Sequence, residues 1–108
     1  MSVDRQLLKG TVITLILRLL SENDMYGYQM IKELEARSER MFSLNEGALY
    51  PVLHRLEKEG HIEAYWEESG GRNRKYYHLT KKGHALFSEK EQEWRTFSRS
   101  FDIVLGGA

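Results

Sequence analysis

Apolar residues recur with helical spacing through the first sixty residues of the chain. A first helix is predicted from about Asp4 to Ser21, because apolar side chains return there every three or four positions. The apolar arc of this helix is wider than a single core contact requires, which indicates a second packed face or a contact with another subunit. After a polar break at residues 22–24, a second helix is predicted from about Tyr26 to Ser38.

A third helix is predicted from a capping motif to a glycine. Ser43 and Glu46 have the capping-box spacing, in which the two side chains satisfy free amides at a helix start. Apolar residues then continue at helical spacing to about Glu59, and Gly60 is a typical stop. Pro51 lies inside this helix, removes one hydrogen bond and is expected to bend its first turns.

The spacing changes to period two after Gly60. Residues 62–67 alternate as a strand, residues 68–74 form a loop containing Gly70 and Gly71, and residues 75–79 form a second strand, which together predict a β-hairpin. Thr80 is expected to cap a last helix from about Lys81 to Val104. The fold class is therefore mainly α with a small β-hairpin, in the order α-α-α-β-β-α. This order is typical of a winged helix-turn-helix, followed here by a C-terminal dimerisation helix.

The length of 108 residues predicts one compact unit that would gain stability from oligomerisation. Residues 1–80 are expected to form the winged helix-turn-helix domain, with the first helix also contributing to a dimer. Residues 81–105 are expected to form the dimerisation helix, and residues 106–108 a frayed tail.

Charge and composition narrow the class of protein. Sixteen basic residues balance sixteen acidic ones, but residues 72–84 hold five basic side chains and no carboxylate. Such a local patch can bind phosphate although the whole chain is neutral. The chain has no cysteine and no apolar run long enough to cross a membrane, so a cytoplasmic protein without a membrane partner is expected.

The third helix and the hairpin together predict a DNA-binding surface. A short helix with a polar outer face fits the major groove, and a basic hairpin tip reaches adjacent phosphates or the minor groove. Asn45 is able to pair with an adenine edge, and Gly47 permits close approach. The predicted DNA-binding residues are Tyr26, Gln29, Lys32, Asn45, Gly47, Tyr50, Pro51, His54, Arg72, Asn73, Arg74 and Lys75.

Each of these two features also has an ordinary structural explanation. The helix could be a simple amphipathic core helix, and the basic run could be a solvated turn. Their occurrence together, in this order, favours DNA binding. The alternative function is a winged-helix protein-interaction module that does not bind DNA.

Aromatic residues form a seam along the last helix at spacings of three and four, which is suited to helix–helix packing. The seam favours a homodimer, since paired recognition helices then read palindromic half-sites about 34 Å apart. Packing is the simplest role for Trp94, although a flat pocket for an aromatic ligand would also use it. The predicted dimer interface comprises Leu17, Leu20, Leu86, Phe87, Trp94, Phe97, Phe101 and Val104.

Enzymatic and metal-binding functions find little support in the sequence. The four histidines lack HExxH or similar spacing, and no GxSxG, P-loop or GxGxxG motif is present. No catalytic residue, metal site or cofactor is therefore expected.

Three long motifs resemble the PadR family of transcriptional regulators, and the resemblance covers nearly the whole chain. They are MYGYQM at residues 25–30, NEGALYPVLHRLEKEG at residues 45–60 and GRNRKYYHLTKKG at residues 71–83. The single terminal helix resembles the short subclass of the family, which includes a lactococcal multidrug-binding member.

The resemblance implies a winged-helix homodimer, usually a repressor, that small aromatic molecules release from operator DNA. In that multidrug-binding member, a tryptophan from the last helix of each subunit stacks on the ligand at the dimer interface. Trp94 takes the matching position when counted from Thr80 and Gly83. The effector-binding residues implied by the resemblance are Leu7, Thr11, Thr14 and Trp94.

Overall fold

The computed structural model describes residues 11–107, in which four helices surround one face of a three-stranded sheet. The predicted residues 4–10 of the first helix lie outside the described range. In chain order the elements are α1 (Val12–Glu22), β1 (Met25–Tyr26), α2 (Gly27–Arg37), α3 (Glu46–Lys58), β2 (Ile62–Ser69), β3 (Arg72–Leu79) and α4 (Lys81–Val104). The predicted winged helix-turn-helix order is confirmed, with one additional strand.

The additional strand is β1, which the sequence pattern did not predict. Met25 pairs with Tyr77 and Tyr26 pairs with Tyr76, so β1 lies antiparallel to β3 and the strand order is β1-β3-β2. Tyr26 is therefore not the first residue of the second helix, as predicted, but a strand residue that precedes it.

The hairpin is longer and its turn tighter than predicted. Ile62 pairs with Leu79 and Ser69 with Arg72, so that only Gly70 and Gly71 form the connection. Both glycines have positive φ angles, 61° and 78°, as a two-residue hairpin turn requires. Residues 72–74, predicted to lie in the loop, belong to β3, because the glycine pair alone closes the turn.

The core lies between the helices and the inner face of the sheet. The side chains of Ile16, Leu49, Leu53, Ile62 and Leu79 are all at most 1% exposed. Every other residue of β2 and β3 faces this core near the base of the hairpin, as the predicted alternation requires.

Leu17 and Leu20 of α1 were predicted to meet a second subunit. The structure buries both of them inside their own chain, at 0% and 3% exposure. They leave almost no surface for a partner, because α2, β3 and α4 also pack around α1. The wide apolar arc of the first helix thus reflects, in the described residues, a helix surrounded by its own domain.

A small ionic network ties the end of α1 to α2. The Arg37 guanidinium lies 2.6 Å from the Glu22 carboxylate and 2.8 Å from that of Glu33, while Arg18 lies 3.1 Å from Glu22. The hydrogen bond from Arg37 is the main reason that the pKa of Glu22 falls below its ordinary value. The network joins the last turn of α1 to the last turn of α2, the helices on either side of β1.

Within residues 11–107, none of the helices has both the length and the apolar character that crossing a membrane would require.

Candidate nucleic-acid interface

The exposed face of α3 carries most of the residues that the sequence singled out. Gly47, Tyr50, Pro51 and His54 are all exposed, while the opposite stripe of the helix is buried in the core. The helix continues as one element through Pro51. Its first turns therefore present a polar surface on a rigid, well-packed support.

The sequence predicted Ser43 as the cap of α3, but in the structure the cap is Asn45. The Asn45 side-chain oxygen accepts a hydrogen bond of 2.9 Å from the amide of Ala48, and Glu46 is the first helical residue. Leu44 is 7% exposed, and its insertion into the core sets the position at which the helix begins. A paired contact between Asn45 and an adenine edge would require its oxygen to leave the cap, whereas its amide nitrogen is not part of that bond.

The start of α2 lies directly against α3. A Cβ atom on Gly27 would lie 2.6 Å from the Tyr50 hydroxyl oxygen, so any larger residue at position 27 would require this aromatic ring to shift. Tyr50 is nevertheless 41% exposed. The contact holds the Tyr50 ring at the surface while the beginning of α2 stays beside the beginning of α3.

Arg74 is held in place by an aromatic ring of β1. Its guanidinium lies 4.4 Å from the ring centroid of Tyr26, and its Nε lies 3.5 Å from the carbonyl oxygen of Ser69. A cation over an aromatic face is attracted by the ring quadrupole. Arg74 therefore has fewer free side-chain conformations than a lysine or arginine that extends into solvent.

Lys75 points to the other face of the hairpin, towards α3. Its ammonium lies 3.8 Å from the Glu57 carboxylate and 5.6 Å from the ring centroid of Tyr77. Part of its charge is therefore compensated within the domain.

The charge of the wing, which we define as β2, β3 and their turn, is more balanced than the sequence of β3 suggests. Glu67 lies opposite Arg74, and Glu68 lies opposite Asn73. The three carboxylates of β2 match the number of arginines and lysines on β3. The positive character is thus restricted to residues 72–75 of β3 and does not extend over the whole hairpin.

Two adjoining grooves bring the separate segments together. The larger, of about 520 Å³, is lined by residues from β1, from the starts of α2 and α3 and from β3, namely Tyr26, Tyr28, Glu46, Arg72, Asn73 and Arg74. The smaller, of about 320 Å³, lies between α2, α3 and the wing and is lined by Tyr26, Gly27, Tyr28, Tyr50, Trp66, Arg74, Lys75 and Tyr77. Of the predicted DNA-binding residues, Gln29, Lys32, Asn45, Gly47, Pro51 and His54 do not line either groove.

Tyr28 and Trp66 were missed by the sequence-based prediction. Their side chains are 52% and 65% exposed, although both are large and aromatic. Lys32 lies 5.4 Å from the ring centroid of Tyr28, four residues earlier on the same helix. That spacing is visible in the sequence and could have indicated the pair. The exposure of Trp66 could not have been predicted, because an alternating strand pattern places it on the inner face.

Asp24 contacts side chains of both β2 and β3 on the outer face of the sheet. The Tyr65 hydroxyl donates a hydrogen bond of 2.6 Å to one oxygen of Asp24, and His78 Nδ1 lies 2.8 Å from the other. The bond to Asp24 raises the pKa of Tyr65 to about 12. Partial burial alone would raise the pKa of Asp24, but the bonds from Tyr65 and His78 lower it overall. Asp24 thereby connects the segment before β1 to both strands of the wing.

A second exposed surface follows the far half of α4. Trp94, Phe97 and Phe101 are 44%, 56% and 53% exposed, and successive ring centroids are 5.9 Å apart. Val104 is 85% exposed, and the neighbouring Ile103 and Leu105, which the prediction omitted, are also exposed. Leu86 and Phe87 instead pack partly against the core of their own domain.

The structure describes three of the four predicted effector-binding residues. Leu7 lies outside the described residues. Thr11 is the N-cap residue of α1, Thr14 is half-buried on that helix, and Trp94 is exposed on α4.

Comparison with known proteins decides the family. The sequence profile of the PadR-like family of transcriptional regulators matches residues 16–89, more than half of the chain. The chain belongs to this family. PadR regulators share its arrangement of helices and wing, since a PadR-like transcriptional regulator from Bacillus cereus superimposes with a TM-score of 0.84. That structure is 36% identical, and the match covers 95% of this chain and 99% of the other.

Two relatives of this PadR-family protein align with almost its whole length. An uncharacterised protein of Lysinibacillus sphaericus is 39% identical over 106 residues, covering 97% of each chain. A transcriptional regulator of Mycobacterium tuberculosis is 31% identical over 103 residues, covering 95% of this chain and 91% of the relative. The similarity to these two relatives therefore extends over the wing and α4 as well as the central helices.

Proposed function

We propose that this PadR-family regulator is a sequence-specific DNA-binding repressor that acts as a homodimer. The observation that carries the proposal is the groove where the starts of α2 and α3 meet Arg72 and Arg74 of the wing. Helix starts present free amides and a partial positive charge, which favour phosphate. Exposed residues of α3 would face the base edges, while the wing arginines would hold the backbone.

The homodimer part of the proposal rests on the seam of α4. A 24-residue helix is about 36 Å long, and its far half carries three exposed aromatic side chains in a row. A contiguous apolar strip of this kind marks an interaction surface. A second copy of α4 would cover the strip with the same side chains, since a two-fold interface is self-complementary. We assign the dimer contact to residues 94–104, and DNA binding to the domain that precedes α4.

The experiment that tests DNA binding uses the region upstream of the regulator's own gene, together with fragments enriched by selection from random sequence. The full-length protein should bind an enriched fragment more tightly than an unrelated one of equal length. The affinity should fall linearly with salt on a logarithmic scale, because phosphate contacts release counterions. Absence of any enriched sequence, or affinity that does not depend on salt, would instead support a protein-interaction module.

Arg74→Ala should weaken binding to enriched and unrelated fragments by a similar factor. If Arg74 contacts one phosphate, the slope of log affinity against log salt should become shallower by about one unit. Arg18→Ala is the matched control, because Arg18 is an exposed arginine on α1 that lines neither groove and lies outside the proposed dimer contact. A slope identical to that of the unmodified protein would remove Arg74 from the interface.

We also propose that a small planar aromatic effector releases the repressor from DNA. The support is Trp94, whose exposed ring belongs to the aromatic row that a second α4 would face. Such a ring, in an apolar interface, offers a stacking surface for a planar ligand.

The effector proposal predicts quenching of Trp94 fluorescence by a planar aromatic dye, with release of DNA over the same concentration range. Trp66 is also exposed, so the fluorescence is measured in a Trp66→Phe background. Trp94→Leu should keep DNA binding and lose the response to the dye. Release of DNA from the Trp94→Leu variant at unchanged dye concentration would show that Trp94 is only a packing residue.

A further inference from the structure

The joint between the end of α3 and the start of α4 is more strongly connected than a simple chain reversal requires. The Lys82 ammonium donates a hydrogen bond of 2.7 Å to the carbonyl oxygen of Glu59, the C-cap residue of α3. A lysine at this position also interacts favourably with the negative end of the helix dipole. The first turn of α4 is thus bonded to the last turn of the recognition helix.

Thr80 adds further bonds at the same point. Its hydroxyl lies 2.8 Å from the carbonyl oxygen of Gly60 and 3.0 Å from that of His61, and it accepts a bond of 3.1 Å from the amide of Gly83. The Thr80 amide also donates to the carbonyl oxygen of His61, at 3.1 Å. One residue therefore caps α4 and fastens it to the two residues that follow α3.

Gly83 completes the joint by close packing. A Cβ atom at this position would overlap the carbonyl oxygen of His61, so the α4 backbone lies directly on the chain that leaves α3. Gly83 is also buried, although its neighbours Lys81 and Lys82 are exposed. This contact leaves little room for α4 to rotate relative to α3.

The length of α4 explains why rigidity matters here. Phe101 lies eighteen residues beyond Gly83, which corresponds to about 27 Å along the helix. A rotation of about 10° at the joint would displace the helix at Phe101 by about 5 Å, more than one base-pair step of DNA. α4 also packs against α1, and Leu86 and Phe87 contact the core, so the joint is the part of its support that ties α4 directly to α3. A flexible joint would allow each recognition helix of a dimer to take more positions, however well the seam packs.

We propose that Thr80 and Lys82 are positioning residues that lock α3 and α4 into one rigid body and thereby set the half-site spacing that the dimer accepts. The proposal rests on the DNA-binding homodimer proposed above. Both residues act at the C-terminal end of α3, about 20 Å along the helix from Asn45, so they influence DNA binding through geometry and not by contact.

The first test measures spacing preference. Two half-sites from the enriched sequence are placed at the selected spacing, one base pair closer, and one or two base pairs further apart. One base pair shifts a half-site by about 3.4 Å and rotates it by about 35°, so the unmodified dimer should strongly prefer one spacing. The measured quantity is the ratio of the affinity at the best spacing to the affinity at the next best. This ratio should fall about threefold in Lys82→Met. It should fall about tenfold in the double variant Thr80→Val/Lys82→Met.

Lys81→Met is the matched control, because it removes the same charge from the same exposed helical turn without a contact to α3. It should keep the ratio of the unmodified protein. The same ratio in all variants, with the dimer intact, would overturn the proposal. A uniform loss on every spacing, with a shallower salt slope for Lys82→Met, would assign Lys82 to a phosphate contact and would also overturn it.

A second measurement needs no DNA. The chain has no cysteine, so Lys58→Cys introduces one spin-label site per subunit, on an exposed position of α3. The label-to-label distance across the dimer should be narrowly distributed, and Lys82→Met should widen the distribution at least about twofold. An equally narrow distribution in Lys82→Met would overturn the rigid joint. A widened distribution without any DNA binding by the unmodified protein would instead reject the proposed function and retain the joint.

Discussion

Phe97→Glu should convert the protein to a monomer and lower its affinity for a two-half-site fragment by about 10²- to 10⁴-fold, the range that linked binding sites supply. Phe97 lies in the centre of the aromatic row, 5.9 Å from the rings of both Trp94 and Phe101. A carboxylate there would be buried without a partner in the seam, which is strongly unfavourable. Light scattering gives the mass, and a titration of the fragment gives the affinity.

Gln92→Glu is the control for this variant. Gln92 is exposed five residues earlier, on the opposite side of α4, so the change adds the same charge outside the seam. It should leave both mass and affinity unchanged. A dimeric Phe97→Glu protein with full affinity would exclude the far half of α4 as the interface.

Gly83→Ala should lower the free energy of unfolding by about 3 kcal/mol, at the upper end of the range for overpacking. The added Cβ would overlap the carbonyl oxygen of His61, and a backbone atom does not move aside as a flexible side chain does. The joint would have to open, and the hydrogen bonds of Thr80 would be lengthened or lost. Urea unfolding at one fixed protein concentration measures the effect, since the stability of a dimer depends on concentration.

Gly47→Ala is the matched control, because Gly47 also lies in the first turn of a helix. Its added Cβ would lie 3.4 Å from the Asn45 side-chain oxygen, an ordinary contact. Alanine should therefore leave stability unchanged or raise it by up to about 1 kcal/mol, the usual difference from glycine in a helix. If Gly83→Ala unfolds at the same urea concentration as Gly47→Ala, the close packing at the joint contributes nothing to the free energy of unfolding.

The general fold was predictable because its signals are local. The helical spacing of Leu49, Leu53 and Leu56 and the alternation after Gly60 each identify one element without knowledge of the others. The paired glycines of the turn identify the hairpin in the same way. β1 was not predictable from these patterns, because two residues are too few to show a period, and it exists only through pairing with β3.

The helix start at Asn45 shows where local patterns stop being sufficient. Ser43 and Asn45 are both good capping residues, and Ser43 has the better-placed glutamate. Burial of Leu44 decides between them, and this burial depends on the tertiary structure. The same reason explains the error at Leu17 and Leu20, because a helical wheel shows which face is apolar but not which neighbour covers it.

The segments that form the candidate site were predictable from the sequence, but the contacts between these segments were not. The basic residues of β3 and the polar face of α3 follow from residue types and spacing. The ring of Tyr26 beneath Arg74, and the fit of Tyr50 against Gly27, join residues that are distant in the sequence. These contacts arise from the folding of three segments against each other and carry no local signature.

The balanced charge of the wing has a consequence for how the protein would find its operator in a genome. Glu67 and Glu68 lie opposite Arg74 and Asn73, and the chain as a whole has no net charge. Attraction to DNA of any sequence depends on the number of phosphates that a protein neutralises, so a balanced wing keeps this attraction weak. A genome offers on the order of 10⁶ or more competing sites, and a regulator that adheres to all of them is diluted by them. A regulator with a balanced wing would instead occupy its operator even at a low copy number, because few of its molecules would be bound elsewhere.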